Sequence, residues 1–171
     1  MGISLELNDT NMTELWDFGW FDVSRFLFRS TSRDRPSDAE VLAQLLKNPL
    51  YRRSFCSSGP WGEKTETHGP FRVERLSVPS FQQVPSSEIA GRFQAVLESK
   101  DFSEPPDPEQ LKPVNNWIQR MVSFCATAYL IDLSMCRDDQ LEWSYVWSVF
   151  REVICINTDQ RKIEIAVIGY D

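Results

Sequence analysis

Apolar and polar positions follow two rhythms along this chain. ISLEL (residues 3–7) sets Ile3, Leu5 and Leu7 against Ser4 and Glu6, the two-residue period of a half-buried strand. The polar run 8–11 reads as a break, and DVSRFLFR (22–29) as a second short strand. In RPSDAEVLAQLLKNP the period lengthens, and Val41, Leu42, Leu45 and Leu46 fall on one helical stripe. Ser37 with Glu40 three residues on is a capping box. Asn48-Pro49 ends this helix, because a residue before proline avoids the α region.

The rhythm is then lost. CSSGPWGEKTETHGP (56–70) reads as a long surface loop. FRVERLSV (71–78) is a strand candidate, PSFQQVP a break, and SSEIAGRFQAVLESK a serine-capped helix with Ile89, Phe93, Val96 and Leu97 on one side. DFSEPPDPEQLKP (101–113) packs four prolines and four acids into a stiff connector. VNNWIQRMVSFC suits a helix and TAYLIDL a buried strand.

FREVICIN (150–157) and KIEIAVIG (162–169) form a closing hairpin. With a three-residue loop at 158–160, Asn157 faces Arg161, Cys155 faces Ile163 and Val153 faces Ile165, giving one apolar face. The same register makes Glu152 and Glu164 diagonal neighbours on the other face, beside Lys162, roughly 7 to 8 Å apart at Cβ. Two strands this close cannot be parallel, since a crossover needs a dozen or more residues. The expected fold is therefore α+β: a mainly antiparallel sheet with two or three helices packed on it, in a single domain spanning 1–171.

Composition narrows the function more than the fold. A net charge of −7 argues against nucleic acid and against an anionic membrane surface, both of which want a basic face. The first residues lack a basic start and a continuous apolar run, and no apolar stretch is long enough to span a bilayer, so a cytoplasmic location is expected. Cys56, Cys125, Cys136 and Cys155 include no C-x-x-C, and His68 is the sole histidine, so neither a metal nor another cofactor is expected.

Charge is unevenly placed. Residues 1–24 hold five acids and no base, while residues 25–53 hold seven bases against three acids. Arg29, Arg33, Arg52 and Arg53 in that second block are candidates for an anion site. Asp138, Asp139 and Glu142 form a further acidic group and are binding candidates for a basic partner. Trp16, Trp20 and the loop residue Trp61 are binding candidates, since exposed tryptophans dominate binding hot spots.

Chemistry is sparse. No nucleophile elbow, S-x-x-K or phosphate-binding glycine loop occurs. Glu152 and Glu164 could act as an acid/base pair, and His68 as a base, but no spacing supplies His68 with an orienting carboxylate, and the loop context makes it a surface residue. A small acidic chain, rich in tryptophan and without catalytic motifs, resembles bacterial immunity proteins in composition. That resemblance implies a non-catalytic module that binds and inhibits a basic protein partner. The alternatives are a small carboxylate-dependent hydrolase or lyase, and an anion- or small-molecule-binding domain.

Overall fold

The computed structural model describes residues 2–16, 19–32, 34–53, 55, 66–98, 106–142 and 147–170. The fold is α+β. Six antiparallel strands form one sheet in the order β1-β2-β8-β7-β6-β5, from β1 (Ile3–Trp16), β2 (Gly19–Ser30), β5 (Gln82–Pro85), β6 (Thr127–Asp132), β7 (Val149–Asn157) and β8 (Lys162–Tyr170). A separate two-stranded ribbon pairs β3 (Thr67–His68) with β4 (Phe71–Arg72). Among the described residues three helices complete it: α1 (Asp38–Lys47), α2 (Ile89–Leu97) and α3 (Pro108–Phe124). None of the described helices is long and apolar enough to cross a membrane.

The central strands of the sheet are buried on both sides. Over one face lie α1, the 3₁₀ turn Pro49–Tyr51 and the β3–β4 ribbon, closing a core of Phe26, Val41, Leu45, Tyr51, Phe150 and Ile165. Over the other lie α2 and α3, closing a core of Phe21, Phe93, Trp117, Met121, Val153 and Ile168. Strands β7 and β8 are therefore apolar nearly throughout, as expected of strands covered on both faces.

The capping box of α1 is present, with Ser37 accepting from Glu40 N and the Glu40 carboxylate accepting from Ser37 N at 2.8 Å. The expected helices at Ile89–Leu97 and before Cys125 and the strand Thr127–Asp132 are also present, and at other places the structure departs from the expected elements. Residues 8–11 do not break the first strand: β1 continues through them by a bulge between Leu7 and Asp9. The bulge reverses the alternation, so Ile3, Leu5 and Leu7 pack toward the α1 core while Asp9, Asn11 and Thr13 turn to the α3 side. Residues 71–78 are not one strand but a two-residue ribbon arm followed by a 3₁₀ turn. PSFQQVP contains strand β5. The end of the 101–113 connector is helical, because Asp107 caps α3, Pro108 occupies its first turn and Gln110 completes a capping box.

The closing hairpin exists with a register one residue away from the expected one. Its loop has four residues, 158–161, and Asn157 pairs with Lys162, Cys155 with Glu164 and Glu152 with Val167. Asn157 Oδ1 accepts from Gln160 N at 2.8 Å, and Arg161 adopts a left-handed φ of 54°, which together lengthen the turn. The consequence is large: Glu152 and Glu164 lie on opposite faces of the sheet, and both are buried.

Two glycines are dictated by aromatic packing. Gly169 separates Trp20 from Phe150 across three strands, and a Cβ there would sit 2.6 Å from the Trp20 indole. Gly69, at φ 53°, would place a Cβ 2.2 Å from the Phe150 ring. Gly169→Ala forces the indole out of its slot and is expected to lower the unfolding free energy by about 2 to 3 kcal/mol in urea denaturation. A loss below about 0.5 kcal/mol would show that the indole moves freely.

Candidate functional site

Two buried acids, one per sheet face, organise the polar interior. Glu152 has no solvent exposure. Tyr51, held at the end of the 3₁₀ turn that follows Asn48-Pro49, donates its hydroxyl to Glu152 Oε1 at 2.6 Å. His68 comes from the ribbon and presents Nε2 to Glu152 Oε2 and Nδ1 to the Tyr51 carbonyl oxygen. Its ring stacks on Tyr51 at 3.9 Å between centroids. His68 is 3% exposed, so it is not the surface residue that its Gly/Pro-rich neighbourhood suggests. The orienting carboxylate absent from its sequence surroundings arrives from a strand 84 positions away.

Hydrogen-bond logic limits what this cluster can do. A carbonyl only accepts, so Nδ1 donates. The contact between Nε2 and Oε2 then holds one further proton between imidazole and carboxyl. Both ring nitrogens are spent, which leaves no lone pair to take a proton from a substrate. Burial first, and the Glu152 carboxylate second, push the Tyr51 hydroxyl well above its ordinary range, so Tyr51 stays a donor.

Asp22 shares this face. It pairs with Val167 from one side as Glu152 does from the other, so the two acids lie in one row roughly 9 to 10 Å apart at the usual strand spacing. Asp22 accepts from Ser24 Oγ at 3.0 Å and from Arg53 at 2.8 Å. Arg53 also lies over the Phe55 ring, 4.5 Å from its centroid, and Phe55 holds a left-handed φ of 62° while stacking on Trp20. For a bulky residue that backbone is strained, and the aromatic stack holds it there.

On the other face Glu164 is clasped by Trp117 Nε1 at 3.0 Å, by Arg120 at 3.4 Å and by its cross-strand neighbour Arg25 at 3.4 Å. Arg25 also holds Asp9 at 3.2 Å. In front of this cluster lies a groove of about 650 Å³ between α3 and the β1–β2 pair. A second groove, about 440 Å³, lies near the opposite edge of the sheet, lined in part by Gln82, Arg137 and Gln140.

The remaining sequence candidates do not gather. Trp20 is buried in the aromatic core. Trp16 ends β1 opposite Gly19, with its side chain outside the described atoms, and Trp61 and Arg33 lie outside the described residues. Arg29 is exposed on β2, Arg52 is half-buried, and Arg53 is committed to Asp22. Asp139 pairs with Arg137 and Glu142 with Arg72, while Asp138 is exposed. Tyr51, Asp22, Trp117 and Arg120 escaped the sequence reading. The available signal was the presence of Glu152 and Glu164 in otherwise apolar runs, which demands buried partners without naming them. Among the described residues no three His, Cys, Asp or Glu side chains come together as a metal site.

Stability should fall in alkali. The unfolded Tyr51 hydroxyl ionises near its ordinary value of about 10 while the folded one keeps its proton, so its stabilisation is complete below that pH and is lost above it. Burial, then Asp132, raises the Cys136 thiol to about 11, adding a loss that begins near its ordinary value of about 9. Urea midpoints measured from about pH 8 to 11 should therefore decline. Tyr51→Phe should start about 1.5 to 3 kcal/mol less stable yet decline less steeply. Equal slopes for the two proteins would exclude Tyr51 as a source.

No protein-family model, no curated protein and no solved structure matches this chain.

Proposed function

We propose that this protein is a non-catalytic binding module that captures an extended, basic segment of a protein partner along strand β1. The observation that carries this reading is the contrast between the two sheet edges. β5 is four residues long and ends in Pro85, two devices that blunt an edge. β1 is fourteen residues long, contains no proline, and pairs on one side only among the described strands. Among the described residues its backbone takes one hydrogen bond from outside the sheet, from Asn48 Nδ2 at 3.5 Å to Leu5 O. An open row of backbone donors and acceptors is a template for strand addition.

Charge selects the occupant. Glu6 and Glu14 on β1 have no ion partner among the described residues, and no base precedes Arg25. A second copy of the chain would set acids against acids, whereas lysine or arginine opposite them gains cross-strand attraction. Met12, 43% exposed between these acids, offers an apolar contact for the added strand. The buried carboxylates support the absence of catalysis: Glu152 and Glu164 are separated by the sheet, and each is capped by internal donors.

The test uses the full chain and the peptide Lys-Thr-Val-Thr-Val-Thr-Lys at low ionic strength. Amide hydrogen exchange over residues 8–14 should slow on addition, and added salt should weaken the effect. The double variant Glu6→Lys/Glu14→Lys should bind about tenfold less tightly. Unchanged exchange, or equal protection by the same peptide with glutamate in place of lysine, would overturn the reading.

A further inference from the structure

The groove beside β1 contains hydrogen-bonding groups that are unused among the described residues. Asn11 and Thr13 project from the α3 side of β1, and Asn116 and Gln119 project from α3 across the gap. None of these four side chains bonds to a described residue. The charged groups at the same place are already spent on one another. Arg25 is shared between Asp9 and Glu164, and Arg120 is held on Glu164, so two cations face two anions. A charged guest would bring an uncompensated charge into a partly dehydrated cleft floored by Phe21 and Val23. A neutral guest with both a donor and an acceptor would meet carboxamides and a hydroxyl that match it.

Strand addition at β1 delivers side chains to this cleft. In an antiparallel partner, residues opposite Thr13 and Asn11 point to the α3 side, and the residue between them lies over Met12. The residue before the pair stands opposite Glu14. We infer that the groove is the specificity pocket of the strand-capture site proposed above, and that it takes uncharged amide or hydroxyl side chains. The partner segment then reads as a basic residue, a neutral polar residue, an apolar residue and a second neutral polar residue. This inference rests on capture at β1. It adds which side chains the captured segment carries.

Three peptides separate the possibilities: Lys-Gln-Val-Gln-Val-Thr-Lys, and the same sequence with both glutamines replaced by glutamate or by lysine. Affinity is measured by calorimetry, and seating on β1 by amide exchange over residues 8–14. The glutamine peptide should bind about tenfold tighter than either charged one. General attraction to a chain of net charge −7 would instead rank the lysine peptide first, so the order itself is diagnostic. Asn116→Asp, at an exposed position, should make the lysine peptide the tightest of the three. If all three protect β1 and bind alike, or if Asn116→Asp leaves the order unchanged, the groove is not the pocket, while capture at β1 stands. If none protects β1, both readings fail together.

Discussion

A carboxylate without solvent exposure, placed on a central strand, constrains everything around it. Glu152 cannot remain unpaired in the core without a penalty of several kcal/mol. Its partners, Tyr51 and His68, come from the turn after α1 and from the short ribbon, segments with little regular structure of their own. The acid thereby pins the irregular cover to the regular sheet. Gly69 and the strained backbone of Phe55 are consequences of the same fit, since both let the cover approach Phe150 and Trp20 closely. The His68–Glu152 pair follows the logic of a structural clamp, since every polar atom that could act on a substrate is used internally.

The second acid applies this device to the opposite face. β7 and β8 are so uniformly apolar that hydrophobic alternation hardly distinguishes one pairing from the next. Glu152 and Glu164 supply the missing distinction. In the observed register each meets its donors on its own face, and sliding or flipping either strand would bury an acid among aliphatics. The polar groups thus distinguish one pairing from the next, a role that buried ion pairs can hold even when an apolar replacement would be no less stable.

This explains which parts of the fold could be read from sequence. The α1 helix was legible because its signals are local: a capping box, a stripe and a proline stop within fifteen residues. The antiparallel hairpin was legible as an element, but not in register, because the four-residue turn depends on Arg161 taking a left-handed backbone that its side chain does not announce. β1 looked like five residues because its bulge at Leu7–Asp9 interrupts the alternation. His68 looked exposed because glycine and proline surround it, while its partners lie seventeen and eighty-four positions away. Of the candidate site, the acidic bias of the first strand was visible, and the convergence of Asn11 with Asn116 was not, because they belong to separate elements.

The distribution of spent and unspent groups then separates structure from function. Inside, Glu152, Asp22, Glu164, Arg53 and Trp117 are all satisfied by the fold itself. Outside, the backbone of β1 pairs on one side only among the described strands, and the acids Glu6 and Glu14 upon it and the amides of the groove that flanks it make no bond to a described residue. Evenly scattered free polar groups would signify only a hydrated surface. Backbone donors, unpaired charge and side-chain amides converging on one long edge, opposite an edge that is short and closed by proline, are what recognition of an extended chain requires.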